Sequence, residues 1–239
     1  MSHPLESDSH IMAKEKRYYQ FELYLLDADL HQVKAHAEAT AAFKIGSKIA
    51  KDSYKEPEDD LEFTVEQGCF HLDIPFTEAR VDDYIAARDR VTGYTTMYGA
   101  SPECRVRHDL FHDALKAKPS IKENHFRVFA AMTAVMGGDS FKPISRERLH
   151  AGACGWKNAE IPAEWPIRLP FNCLQKVTKK IAEMGLCSSH YDAVGRRHCY
   201  YTISKSKEQL IQLVKAHLEA KAERKRSRSS TAGAESKCV

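Results

Sequence analysis

The chain has 239 residues, of which 43% are hydrophobic and 29% are charged, as in an ordinary globular protein. This length can hold one large or two small domains with an adequate core. The sequence contains no run of about 18 apolar residues, and residues 1–13 lack the apolar centre of a signal peptide. We therefore expect a flexible leader over residues 1–13 and no membrane span. Scattered cysteines without a CxxC pair favour reduced thiols in a cytoplasmic protein.

Charge is distributed unevenly along the chain, although the formal net charge is only +3. Residues 1–120 carry 15 Lys and Arg against 22 Asp and Glu, a net charge of −7. Residues 121–239 carry 21 against 11, a net charge of +10. A concentration of positive charge favours contact with the phosphates of a nucleic acid. The alternative is a basic region that only serves solubility.

The acidic half, residues 14–119, is predicted to form an α+β domain of unknown role. Its first segment, residues 17–26, is aromatic and β-prone, which indicates an opening strand or a short buried segment. A helix is expected next, with Asp27 or Asp29 near its N-cap and an apolar stripe at helical spacing.

The rest of the acidic half is expected to contain both strands and helices. Residues 61–76 alternate apolar and polar side chains around a break at Gly68, which indicates a β-hairpin or two adjoining strands. A short helix opened by Thr77 should follow. Residues 105–118 then predict a further helix that is stopped by Pro119.

The basic half begins with two predicted helices. The first covers residues 123–138 and has an apolar side formed by Phe126, Phe129, Ala130, Met132 and Val135. The second opens at Ser145, a plausible N-cap, and carries Arg146 and Arg148 in its first turn. Residues 152–170 follow as a connection rich in proline. The connection contains Trp156 and Trp165.

A third helix is predicted between this connection and Gly185, which can adopt the left-handed conformation that ends a helix. Its expected apolar face consists of Phe171, Leu174, Val177, Ile181 and Met184. Lys176, Lys179 and Lys180 fall between these positions and must point elsewhere. Residues 187–204 then form two short strands around a turn at residues 192–195.

Three helices followed at once by a basic hairpin resemble the winged helix-turn-helix family over residues 121–204. The resemblance implies a C-terminal winged-helix domain whose third helix lies in the DNA major groove, while the wing touches the backbone or the minor groove. The connection at residues 152–170 departs from the family, in which the corresponding turn is short. The residues that the resemblance places against DNA are Arg146, Arg148, Asn172, Gln175, Lys176, Lys179, Lys180, Arg196, Arg197 and His198.

The expected fold class is therefore α+β, with a mixed N-terminal domain and a C-terminal winged-helix domain. We expect a DNA-binding protein, either a transcription regulator or a replication-initiator-like factor, in which lysines and arginines anchor the backbone. Asn172 and Gln175 would read bases, since their amides can pair bidentately with adenine. The acidic half would serve self-association or bind a protein partner.

Two alternatives stay open at this stage. The chain could be the DNA-contacting subunit of a larger nucleoprotein complex, RNA-guided or of transposition type, with RNA instead of DNA as a further ligand. It could instead be a metal-dependent hydrolase, because His108 and His112 lie one helical turn apart beside Asp109. Aromatic side chains could also stack on bases, but we expect apolar packing of Trp156 and Trp165.

No cofactor and no resident metal are predicted. Cys187, His190, His198 and Cys199 include the residue types that bind zinc. With a turn at residues 192–195, Cys187 shares a strand face with His198 and His190 shares the other face with Cys199. Four ligands then cannot converge on one ion.

The C-terminal end is expected to contain a helix and a tail. Residues 205–223 carry a narrow apolar stripe, so this helix should pack on the domain or on a partner chain. Residues 224–239 are polar and basic, and we expect them to be disordered.

Overall fold

The computed structural model describes residues 18–52, 56–107, 119–192 and 199–235. The fold is α+β, as expected, with about 62% helix, and these residues form two small antiparallel sheets. No helix of the described residues is long and apolar enough to cross a membrane. The predicted leader, residues 1–13, lies outside the described residues.

The described residues of the N-terminal half form a two-stranded sheet, a 3-10 helix and three α-helices. Strand β1 (Tyr18–Glu22) pairs antiparallel with β2 (Glu103–Arg107), and a 3-10 helix (Leu23–Asp27) follows β1. The helices are α1 (Leu30–Asp52), α2 (Leu61–Leu72) and α3 (Glu78–Tyr98). Asp29 caps α1, since its Oδ1 accepts a hydrogen bond from the Gln32 N–H at 3.0 Å. The opening strand is thus confirmed over Tyr18–Glu22, while the rest of that segment belongs to the 3-10 helix. The first helix is also confirmed.

In the C-terminal half, the described part of the chain forms four α-helices, a short 3-10 helix and a three-stranded sheet. The helices are α4 (Pro119–Met136), α5 (Arg146–Ala153), α6 (Leu174–Glu183) and α7 (Lys207–Glu235). The strands are β3 (Lys142–Ile144), β4 (Ser188–Tyr191) and β5 (Cys199–Thr202), in the order β3-β5-β4. Ser145 caps α5 as predicted, because its Oγ accepts from the Arg148 N–H at 3.1 Å. Strand β3 was not predicted.

The predicted strands at residues 61–76 are wrong, because α2 occupies most of this segment. Asp60 caps the helix by accepting from the Phe63 N–H at 3.1 Å. Gly68 is not a break but a point where the backbone of α2 closely approaches α1. A Cβ atom at Gly68 would lie 1.8 Å from the Ala42 carbonyl oxygen, so only glycine lets the two backbones touch.

The predicted helix at residues 105–118 is also wrong at its start. Arg105 and Arg107 lie in β2, where Arg105 faces Gln20 and Arg107 faces Tyr18 of β1. Pairing with β1 overrides the local helical pattern there. Pro119 begins α4, which suits a residue with no N–H to donate. Residues 108–118, the remainder of the predicted helix, lie outside the described residues.

The C-terminal tail is more ordered than expected, because α7 continues to Glu235 instead of ending near residue 223. Residues 224–235 include four Lys and Arg, two Ala and one Glu, which favour a helix, together with three Ser, one Thr and one Gly, which favour it less. Near its start, α7 packs on the three-stranded sheet through Leu210 and Val214, which are buried against Tyr200. The apolar stripe therefore packs within the chain.

The main hydrophobic core includes buried side chains from both halves of the chain. Aromatic rings from both halves meet in it. Trp156 and Trp165 lie 4.8 Å apart between centroids, Tyr94 lies 4.7 Å from Trp165, and Tyr98 lies 5.0 Å from Trp156. Apolar packing of the two tryptophans, which the sequence favoured, is confirmed by their burial.

A polar cluster at residues 26–28 also joins the halves. The fully buried carboxylate of Asp27 accepts from Arg90 Nε at 2.8 Å and from Arg90 Nη2 at 2.6 Å. The fully buried guanidinium of Arg127, on α4, donates to the Leu26 carbonyl and, at 2.6 Å, to the Ala28 carbonyl. Burial acts to lower the pKa of Arg90. The hydrogen bonds to Asp27 and the negative charge of the Asp27 carboxylate outweigh burial and raise the pKa of Arg90 above the usual value for arginine.

We predict that Arg127→Met destabilises the fold by about 3–5 kcal/mol, or roughly 6–20 °C in Tm, because the Leu26 and Ala28 carbonyls lose their buried donor. Urea and thermal unfolding followed by circular dichroism measure this. The control is Arg88→Met, whose side chain is 46% exposed; we expect a change within about 0.5 kcal/mol. Equal effects of the two variants would contradict the account.

Gly68→Ala and Gly93→Ala should change stability in opposite directions. At Gly68 the new methyl group meets the Ala42 carbonyl and forces α1 and α2 apart, costing about 1–3 kcal/mol. At Gly93, in the middle of α3, nothing lies within 4 Å of the added Cβ, so alanine should stabilise by about 0.5–1 kcal/mol. Thermal unfolding compares them, and a gain of stability in Gly68→Ala would disprove the close contact.

Candidate nucleic-acid interface

Helix α6 has one buried and one exposed side. The buried residues are Leu174, Val177, Thr178 and Ile181. The exposed residues include Gln175, Lys176, Lys179 and Lys180. Because an α-helix has about 3.6 residues per turn, these two sets lie on opposite sides. We call Asn172, Gln175, Lys176, Lys179 and Lys180 the amide–lysine face; Asn172, also exposed, lies in the 3-10 helix (Phe171–Cys173) just before α6.

Two residues of the predicted apolar face are exposed instead. Phe171 is 41% exposed, because the 3-10 helix that contains it has a different periodicity and does not continue the buried stripe of α6. Met184 is 50% exposed, because it follows the last residue of the helix.

The end of α6 is formed as the sequence predicted. Gly185 adopts a φ of +71°. Its N–H donates to the Ala182 carbonyl at 3.0 Å, and the Leu186 N–H donates to the Ile181 carbonyl at 3.2 Å. This pair of hydrogen bonds is the Schellman motif. It turns the chain directly from α6 into β4, which places the hairpin beside the helix.

The connection between α5 and α6 is anchored on the N-terminal half. Gly155 has a φ of +85°, and a Cβ atom there would lie 2.6 Å from the Asp27 nitrogen. Arg168 Nε donates to the Asp27 carbonyl at 2.5 Å. Trp165 Nε1 closes the connection on itself by donating to the Cys154 carbonyl at 2.7 Å. The long connection therefore has a fixed path, and it delivers the chain to the start of α6.

Two grooves border the amide–lysine face. The sheet-side groove, of about 580 Å³, lies between α6, the start of α5 and one face of the three-stranded sheet. The α4-side groove, of about 620 Å³, lies between α6 and the first part of α4, and Lys176 and Lys180 line it. Lys179 lines both grooves, so it stands on the ridge between them.

The lysines of this face are accessible to a ligand. Lys176 and Lys179 are exposed. Lys180 lies 3.2 Å from Glu183, but both side chains are at least half exposed. Such a surface ion pair contributes little to stability and can exchange its partner for a phosphate.

The two arginines of α5 differ in their surroundings. Arg146 is exposed, and its guanidinium carbon lies 5.0 Å from the centre of the Phe171 ring, which orients it beside the start of α6. Arg148 is half-buried, and its Nη1 donates to the Trp156 carbonyl at 3.3 Å. Burial lowers the pKa of Arg148 below its usual value. We therefore keep Arg146 in the candidate interface and leave Arg148 out.

The hairpin register differs from the predicted one. Tyr191 pairs with Cys199 and His190 pairs with Tyr200, so a longer connection than the expected four-residue turn joins the strands. Cys199 thus shares a sheet face with Tyr191, not with His190. The predicted wing residues Arg196, Arg197 and His198 lie outside the described residues.

The described residues contain no group of three or more His, Cys, Asp or Glu side chains that could hold a metal ion. The residues of the hydrolase hypothesis, His108, Asp109 and His112, lie outside the described ranges. Sequence reasoning missed Tyr191, which is 55% exposed and lines the sheet-side groove. Side chains alternate between the two faces of a strand, and this alternation was the signal in the sequence that could have placed Tyr191 on the exposed face.

Comparisons with protein-family models, with curated proteins and with solved structures find no match to this chain.

Proposed function

We propose that this chain is a DNA-binding protein that lays α6 in the major groove through the amide–lysine face. The observation that carries the proposal is the division of α6 into two sides. Its apolar side is fixed in the core, and its amide and ammonium groups all project from the surface. An exposed helix of this kind fits the width of the major groove of B-DNA.

Each side chain of the face has a chemical role in this proposal. Lys176, Lys179 and Lys180 neutralise phosphates and release counterions, which provides most of the affinity and makes it depend on salt. The amides of Asn172 and Gln175 reach base edges, where they can pair bidentately with adenine. The protein would therefore anchor on the backbone and prefer adenine-containing sites.

The hairpin supports the same proposal. Three helices lead into β4 and β5, which agrees with the winged helix-turn-helix resemblance, and β3 joins the hairpin to the body of the protein. In this proposal Arg196, Arg197 and His198 form the wing and contact backbone or minor groove. A transcription regulator or a replication-initiator-like factor is the role that fits such a module.

A second candidate is a DNA-contacting subunit of a larger nucleoprotein complex. Phe70 on α2 favours it, because this aromatic side chain is 84% exposed in the acidic half. Exposed Glu62 and Glu66 precede it at intervals of one helical turn. An exposed aromatic ring beside carboxylates fits a basic protein partner.

The double variant Lys176→Glu/Lys179→Glu should weaken binding to a fluorescein-labelled duplex at least about tenfold at ~0.1 M salt. It should also reduce the slope of log affinity against log salt by about two, since two phosphate contacts are lost. Fluorescence anisotropy over a salt series measures both quantities.

The matched control is Lys48→Glu/Lys51→Glu on α1. These two exposed lysines have the same spacing and the same change of charge, but they lie in the acidic half. The control should retain wild-type affinity within about twofold. Equal losses in both double variants would show that only net charge matters and would refute a role for α6.

A further inference from the structure

The sheet-side groove is large enough to take a ligand. Its volume of about 580 Å³ is within the range of small-molecule sites, roughly 300–1,000 Å³. Gln175, Thr178 and Lys179 of α6 form one wall. Ser189 and Tyr201, on one face of the sheet, form the other.

The lining of the groove suits a flat, partly polar ring system. Ile144, Leu174 and Tyr201 are buried side chains that provide apolar surface along its inner part. The Gln175 amide and the Ser189 hydroxyl can donate and accept hydrogen bonds. A nucleobase has this combination of an apolar face and an edge of donors and acceptors.

Tyr191 provides an exposed aromatic ring at the same groove. It projects from β4 on the sheet face that carries Ser189 and Tyr201, and its side chain is 55% exposed. Bases of unpaired nucleotides stack on aromatic side chains of this kind, with little dependence on sequence.

Positive groups border the groove where a phosphate would lie. Arg146 lines it at the start of α5, and Lys179 lines it from the ridge of α6. The backbone N–H groups of Arg146 and Glu147, in the first turn of α5, have no carbonyl partner within the helix and favour an anion, whereas the Arg148 N–H donates to Ser145 Oγ. The carboxylate of Glu147 also lines the groove and opposes an anion, so the two side-chain cations must outweigh it.

We propose that the sheet-side groove binds a single unstacked nucleotide, with its base between Tyr191 and α6 and its phosphate near Arg146 and Lys179. This inference rests on the proposed function, because Gln175 and Lys179 belong to both the groove and the amide–lysine face. A strand held on that face passes the mouth of the groove and can turn one base into it. A free mononucleotide has the same base and phosphate and could occupy the groove in the same way.

The test compares two fluorescein-labelled DNAs by anisotropy: a fully paired duplex, and the same duplex with one unpaired adenosine. The wild-type protein should bind the second about tenfold more tightly, since one stacked base is worth ~1–3 kcal/mol. Tyr191→Ala should abolish this preference by removing the stacking ring. Ser189→Phe should abolish it by filling the groove, in a strand position that tolerates an aromatic residue.

The matched control is Tyr18→Ala, because Tyr18 is also a strand tyrosine, 42% exposed, but lies on β1. It should keep the wild-type preference. Thermal unfolding of each variant checks that Tyr191→Ala and Ser189→Phe are still folded. Adenosine 5′-monophosphate, added as a competitor, distinguishes a free nucleotide from a base within a strand.

The outcomes separate this inference from the proposed function. Equal wild-type affinity for the two DNAs, with no competition by adenosine 5′-monophosphate, overturns the groove site and leaves duplex binding standing. Failure to bind either DNA, together with mononucleotide binding that Ser189→Phe removes, refutes the proposed function. The same result supports the groove as a site for a free nucleotide.

Discussion

The structure depends on three successive residues, 26–28, which accept hydrogen bonds from three arginines. Arg90 from α3 holds the buried carboxylate of Asp27, and Arg127 from α4 holds the carbonyls on either side of it. Arg168, in the connection to α6, donates to the Asp27 carbonyl. Backbone carbonyls at the end of a 3-10 helix have no partner within it, and burying them without donors is costly. The cluster therefore fixes parts of the chain that are far apart in sequence to one point.

The same cluster fixes the entry to the candidate interface. In the connection before α6, Gly155 packs closely against the Asp27 backbone and Arg168 donates to the Asp27 carbonyl, so α6 starts from a defined position. Its apolar side then packs against the core, and the hydrogen bonds at Gly185 set the direction of the hairpin. The amide–lysine face follows from these constraints, because packing of the apolar side against the core leaves Gln175 and the three lysines on the opposite, exposed side of the helix.

Local sequence patterns predicted the features that depend on residues close together in the chain. The cap at Ser145, the stop at Gly185 and the exposed lysines of α6 follow from side-chain chemistry and helical spacing. Long-range contacts decided the rest. The alternation around Gly68 resembled strands, and only the packing of α2 on α1 shows why a glycine stands there. The hairpin register and the position of Tyr191 required pairing with β5, which no local signal specifies. The sequence therefore indicated the amide–lysine face but not the groove beside it.

The most direct test of the central claim, that the amide–lysine face contacts DNA, is lysine acylation with and without a bound duplex, measured by mass spectrometry. Bound DNA should reduce acylation of Lys176 and Lys179, whereas Lys48 and Lys51 should be modified to the same extent in both samples. Unchanged acylation of Lys176 and Lys179 in protein saturated with DNA would contradict it.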